Sequence, residues 1–195
     1  MEQVVLLSES GEANGVQDKA EVHHAETPLH LAFSCYLFGP DGRLLLTTRA
    51  RTKKTFPGLL TNSCCGHPAP GEDIVASVER RIGQELGAEI SDITLVLPRF
   101  RYRAVMADGI VENEMCPVFR ARTGTDPAPD PSEVDSCEWV DWITFAEDVL
   151  AGRRAVSPWC AEQVAELVPL GPDPLAWPAG EEALLPPAAR RRPAA

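Results

Sequence analysis

GHPAPGEDIVASVERRIGQELGA, residues 66–88, is an amphipathic helix behind a loop. Apolar residues at 74, 75, 78, 82 and 86 recur at helical spacing over Glu72 to Leu86, and Gly87 is placed to end the helix. Gly83 lowers the helical propensity by about 1 kcal/mol relative to alanine without abolishing the pattern. Acidic and basic residues (Glu72, Glu79, Arg80, Arg81, Glu85) interrupt the apolar stripe. The helix therefore offers a charged surface beside a buried one.

Extended segments flank this helix on both sides. Leu31 to Phe38 is apolar and aromatic, ends at the turn Gly39-Pro40-Asp41-Gly42, and is followed by Arg43 to Thr48, which predicts a hairpin. Arg51 to Gly71 reads as a long functional loop. Leu95 to Val105 and Ile110 to Arg122 flank Asp108-Gly109, a second hairpin turn. Val134 to Trp142 is a further strand, and Phe145 to Leu150 and Trp159 to Leu167 are helical. Strands around one central helix, with late helices, predict an α+β or layered α/β/α domain over residues 1–170. The Pro/Ala/Arg-rich segment 171–195 is expected to be a disordered tail.

The 195 residues suffice for one domain with a full core. A net charge of -11 argues against nonspecific contact with nucleic acid or anionic membrane. There is no signal peptide and no run of 18 apolar residues, so a cytoplasmic protein is expected. Six cysteines without CxxC spacing read as free thiols.

Four features can carry chemistry, each beside a plainer reading. His23, His24, His30 and His67 are metal ligands or ordinary surface and core histidines. Glu112 and Glu114, at i and i+2 of a strand, point to one face, where they share a cation or proton or simply meet solvent. Lys19, Arg49, Lys53 and Arg81, with Arg51, Lys54 and Arg80 beside them, gather into a polyanion pocket or remain solvated. The fourth is the loop and helix from Gly66 to Ala88.

The spacing of Gly66, Glu72, Arg80 and Gly87 resembles the Nudix box, which places carboxylates on a helix to hold magnesium at a diphosphate. Arg81 and Gln84 stand where that box has acidic residues, and Glu85 alone keeps the charge. One carboxylate does not build the multi-metal cluster that activates water.

Five ordered words resemble the type 1 isopentenyl-diphosphate isomerases: Leu29-His30-Leu31-Ala32-Phe33, Thr61-Asn62-Ser63-Cys64-Cys65-Gly66-His67-Pro68, Phe100-Arg101-Tyr102-Arg103-Ala104, Val111-Glu112-Asn113-Glu114-Met115-Cys116-Pro117-Val118-Phe119 and Ser157-Pro158-Trp159. The likeness spans roughly residues 17 to 165. It implies an α+β, Nudix-like α/β/α sandwich with a mixed sheet and an N-terminal extension. It implies isomerisation of isopentenyl diphosphate to dimethylallyl diphosphate in isoprenoid biosynthesis, through a carbocation.

By the same resemblance, His23, His30, His67, Glu112 and Glu114 are ligands of one divalent ion, manganese or magnesium, with zinc or iron also suited to the donors. His23 is chosen over His24 because its separation from His30 matches the family. Glu85 holds a magnesium that bridges to the diphosphate, which Lys19, Arg49, Lys53 and Arg81 contact. Cys65 stands on one face of the olefin, Glu114 and Tyr102 form the acid–base pair on the other, and Trp159 stabilises the cation. Cys64 and Phe56 depart from the family's usual residues. The expected partner is a small isoprenoid diphosphate, with no nucleic acid or membrane, and the chain acts as monomer or homodimer. The rivals are a Nudix pyrophosphohydrolase and a non-enzymatic diphosphate- or metal-binding module.

Overall fold

The computed structural model describes residues 2–190. The elements run β1 (Gln3–Leu7), β2 (Ala13–Asp18), α1 (Lys19–Val22), β3 (His30–Leu31), β4 (Phe33–Phe38), β5 (Leu44–Arg49), β6 (Leu60–Thr61), β7 (Cys64–Gly66) and α2 (Ile74–Leu86). They continue with β8 (Ser91–Leu97), β9 (Arg101–Val105), β10 (Val111–Met115), β11 (Val118–Arg122), β12 (Val134–Val140), α3 (Trp142–Leu150) and α4 (Pro158–Leu167). One sheet has the order β2-β1-β3-β10-β9 and the other β12-β5-β4-β11-β8. β10 runs parallel to β3 and β11 parallel to β4, so both sheets are mixed.

The second sheet is the middle of a sandwich. Along β4, Phe33, Cys35 and Leu37 face one core, and Tyr36 and Phe38 face the other, as period-2 side chains must. α2 covers the first face with Ile74, Val78, Ile82 and Leu86, each contributing about 1.5–3 kcal/mol by burial. Its N-cap Asp73 accepts from the amides of Val75 and Ala76, and Gly87 closes the helix at φ 59. α3 and α4 cover the opposite face with Trp142, Phe145, Trp159 and Val164.

Two strands expected as single pieces are each divided between the sheets. The chain leaves the first sheet after Leu31 and enters the second at Phe33, and does the same between Met115 and Val118. Pro117 has no amide hydrogen and interrupts the ladder there; its carbonyl accepts from Ser34 N at 3.0 Å. The segment 95–105 is likewise split, at Pro98. The functional groups gather at these crossings.

Other expectations are corrected. The loop 51–71 contains β6 and β7, which pair with β5 and β4. The segment after Gly171 is ordered through Arg190. Trp177 is 2% exposed, packs edge-on against Phe38 and Trp142, and donates to Gly171 O at 2.8 Å. Leu185 and Ala189 enter the α2-side core. These few anchors replace the periodicity that a Pro/Ala-rich segment lacks. Residues 191–195 of that expected tail lie outside the described residues.

Candidate active site

Strand register builds the first part of the site. His30 pairs with Glu114 across β3 and β10, and Glu114 with Tyr102 across β10 and β9. Directly opposed residues share a face, so these three side chains form a row. His67 enters from the loop after β7, and His23 follows α1. Candidate ligand atoms of His23, His30, His67 and Glu114 all lie within 4.8 Å of one another. His24 is exposed and turns away, with Nδ1 accepting from Glu26 N at 3.1 Å.

This donor set fits a divalent ion. His23 Nε2, His30 Nε2 and His67 Nδ1 are buried without hydrogen-bond partners. His30 Nδ1 lies 2.9 Å from the Pro28 carbonyl, which places the ring proton there and leaves the Nε2 lone pair facing the cluster. Burial, then the neighbouring His67, pulls His23 down to about 3; burial also pulls His67 down to about 4. Both rings are therefore neutral bases at neutral pH. Burial opposes the charge on Glu114, but His30 and His67 hold it well below the usual carboxylate range.

Glu112 is not drawn into that group. The Tyr102 hydroxyl stands between the carboxylates, 2.6 Å from Glu112 and 2.9 Å from Glu114. Burial first, then Glu114, raises the pKa of Glu112. The two acidic groups thus titrate apart, linked by one phenol.

Cys65 comes from the other sheet, at the position opposite Ser34. Its thiol donates to Asn62 Oδ1 at 3.2 Å, and burial pushes its pKa up to about 11. Trp159, at the start of α4, is 1% exposed; its ring lies 5.5 Å from that of Tyr102 and beneath Arg49 at 5.5 Å. Cys65, Tyr102, Glu112, Glu114 and Trp159 all line one cavity of about 420 Å³.

The same cavity is lined by Lys19, Arg49, Lys53 and Arg81, so the four cations converge; Lys19 and Lys53 mark its more exposed end, at 26% and 22%, while Arg81 is buried and Arg49 lies over Trp159. Two carboxylates meet them. Glu2 lies 2.7 Å from Lys19 and 3.6 Å from Arg81, and Glu133 pairs with Lys53 and lies 3.4 Å from Arg81. Glu85 does not line the cavity. Its carboxylate pairs with Arg81, and the Cys64 thiol lies 3.6 Å away. Gly66 lets Arg81 in: a Cβ there would meet Arg81 Cγ at 2.8 Å and Phe33 at 2.9 Å.

Comparison with known proteins adds the family. The NUDIX domain model matches residues 28–160. The isopentenyl-diphosphate Delta-isomerase of Saccharopolyspora erythraea is 61% identical over 189 residues, covering 97% of each chain. That of Rhizobium rhizogenes is 54% identical over 192 residues, covering 98% of this chain and 92% of its own. The chain belongs to the isopentenyl-diphosphate Delta-isomerase family, within the Nudix superfamily. Solved structures agree on the fold. A Deinococcus radiodurans protein superposes with a TM-score of 0.65 at 20% identity, over 86% of this chain and 99% of that one. A MutT protein from Methanosarcina mazei does so with a TM-score of 0.55 at 18% identity, over 72% and 94%.

Within this isomerase family member, several site residues escaped the sequence reading. Asn62 stands inside a quoted motif, but nothing in the sequence shows that its side chain meets Cys65. Ser34 lies in an apolar strand and Gln163 on a mixed helix, and they join only through tertiary contact, Gln163 Nε2 donating to Ser34 Oγ at 2.9 Å. Glu2 and Glu133 lie outside every motif. Among the described residues, no helix is long and apolar enough to cross a membrane.

Proposed function

We propose that this chain converts isopentenyl diphosphate to dimethylallyl diphosphate in isoprenoid biosynthesis. One observation carries the reading: a single cavity is lined by a sulfur, a phenol–carboxylate pair, an indole and four cations. Lys19, Arg49, Lys53 and Arg81 hold the diphosphate, and the short hydrocarbon reaches inward. Cys65 stands on one face of the olefin and Glu114 with Tyr102 on the other, because they come from different sheets.

Protonation of the terminal alkene carbon leaves a tertiary cation, and loss of a proton from the neighbouring methylene completes the shift. Burial keeps Cys65 a thiol, which suits proton delivery; the ionised Glu114 suits removal, with Tyr102 relaying to Glu112. Trp159 offers its π face to the cation, and the closed aromatic end excludes water that would capture it. An ion held by His23, His30, His67 and Glu114 (manganese or magnesium, with zinc also suited) would supply charge that keeps the adjacent carboxylates ionised. The expected setting is the cytoplasm, where six free cysteines remain reduced, and the chain acts as monomer or homodimer.

Incubating reduced protein and magnesium with isopentenyl diphosphate, followed by NMR of the products, tests the proposal. Dimethylallyl diphosphate is expected. Phosphate release from nucleoside diphosphate derivatives, with no isomer formed, would establish the hydrolase instead.

A further inference from the structure

Asn62 lies between β6 and β7 and is fully buried. Its Nδ2 donates to the carbonyls of Cys35 at 3.1 Å and Cys64 at 2.9 Å. Its Oδ1 accepts from the Trp159 indole at 3.1 Å, the Cys65 thiol at 3.2 Å and the Thr61 hydroxyl at 2.9 Å. The partners settle the orientation of the amide. Two carbonyls accept only and the indole donates only, so a flipped amide would lose all three bonds. The amide plane is thereby tied to the backbone of β4 and β7, and one oxygen atom anchors two cavity-lining side chains far apart in sequence.

A second contact holds the sulfur from behind. Ser34 Oγ lies 3.3 Å from Cys65 Sγ and receives Gln163 Nε2, while Gln163 Oε1 accepts from Tyr36 at 3.0 Å. Ser34 therefore has its own hydrogen to offer a sulfur atom. The thiol is fixed on both sides by groups that do not line the cavity.

We propose that Asn62 is a positioning residue for the isomerisation, its Oδ1 setting the placement of the Cys65 thiol against the Trp159 indole around the olefin. The inference rests on the isomerase reading above. Without Asn62 the sulfur and the ring drift independently. Proton transfer slows, and the tertiary cation spends longer where water can reach it. Water then forms a C–O bond to the cation and releases a proton to solvent, giving the tertiary alcohol diphosphate instead of the alkene. Diphosphate anchoring, which uses other residues, is little affected.

The test measures kcat, KM and the share of alcohol product for the wild type, Asn62→Ala, Trp159→Phe and the double variant. Trp159→Phe keeps a ring but cuts the same bond from its other end. KM and product share do not depend on how much protein is folded, so a merely structural role would leave both unmoved. For Asn62→Ala, kcat is expected to fall about 100-fold with KM within about threefold, and the alcohol share to rise at least about tenfold. Trp159→Phe should shift the product share in the same direction, and the double variant should add little to either single change. Thr61→Val, which removes a different donor to the same oxygen, should stay within about threefold of wild type. The inference is overturned if Asn62→Ala keeps the wild-type rate and product share, or if the two losses simply multiply. Should Asn62→Ala not fold, an unchanged product share in Trp159→Phe overturns it alone. A wild-type protein that makes no dimethylallyl diphosphate would instead overturn the isomerase reading, and this inference with it.

Discussion

The two ends of the cavity are built on different principles. At the inner end the groups are buried and their positions are over-determined. Glu114 is fixed by His67 and Tyr102, Cys65 by Asn62 and Ser34, and His30 by the Pro28 carbonyl. At the outer end the cations hold carboxylates that can leave. The Glu2 side chain is 55% exposed and that of Glu133 24%, whereas Glu85, against the helix, is 9% exposed and stays with Arg81. A rigid inner end suits a reaction whose intermediate tolerates no error of placement. An exchangeable outer end suits a charged group that must enter and leave on every turnover.

The contrast breaks most clearly if the inner groups prove dispensable. Cys65→Ala should lower kcat by roughly 10²–10⁴-fold, and Glu114→Gln by at least as much, since it removes a proposed ligand together with the base. Near-wild-type turnover of Cys65→Ala would end the sulfur's assigned role. The donor cluster makes the next claim. Adding manganese to chelator-treated protein should raise the melting temperature by several degrees, and His67→Ala should lose most of that response. An equal response in both proteins would place the ion elsewhere.

Smaller effects sharpen the outer end. Glu133→Gln removes an internal competitor for Lys53 and Arg81, so calorimetry should show inorganic pyrophosphate binding roughly 3–10-fold tighter than to wild type. Weaker binding would mean that Glu133 holds the cations in place rather than competing for them. Smallest for catalysis is Asp73→Ala at the start of α2. It should cost about 1 kcal/mol in denaturant unfolding and leave kcat/KM close to wild type, since the cap supports the scaffold beneath both ends.

Local pattern and motif spacing made the layered fold legible. The apolar run of β4, the period of α2 and the Asp108-Gly109 turn all describe elements present in the structure. What the pattern missed depends on contacts between distant segments. β4 and β11 look continuous with the strands before them, and only pairing with different neighbours divides them. The ordered stretch from Gly171 to Arg190 depends on Trp177 finding Phe38 and Trp142. The same limit applies to the site. His23, His30, His67, Cys65 and Glu114 stand in recognisable words, and their types announce chemistry. Asn62, Ser34 and Gln163 are ordinary polar residues whose purpose lies in partners 31 to 129 positions away: Trp159 for Asn62, Cys65 for Ser34 and Ser34 for Gln163. Glu112 and Glu85 mark the boundary case. Their motif positions suggest ligands, while in the structure Tyr102 and Arg81 hold their carboxylates.

The most direct measurement is turnover of isopentenyl diphosphate in heavy water, followed by deuterium NMR of the product. A proton delivered from one side of the olefin and another removed from the opposite side predicts dimethylallyl diphosphate with solvent deuterium in a methyl group. Isomer formed at full rate without deuterium would contradict the account, because the migrating hydrogen would then never pass through an exchangeable thiol, phenol or carboxyl.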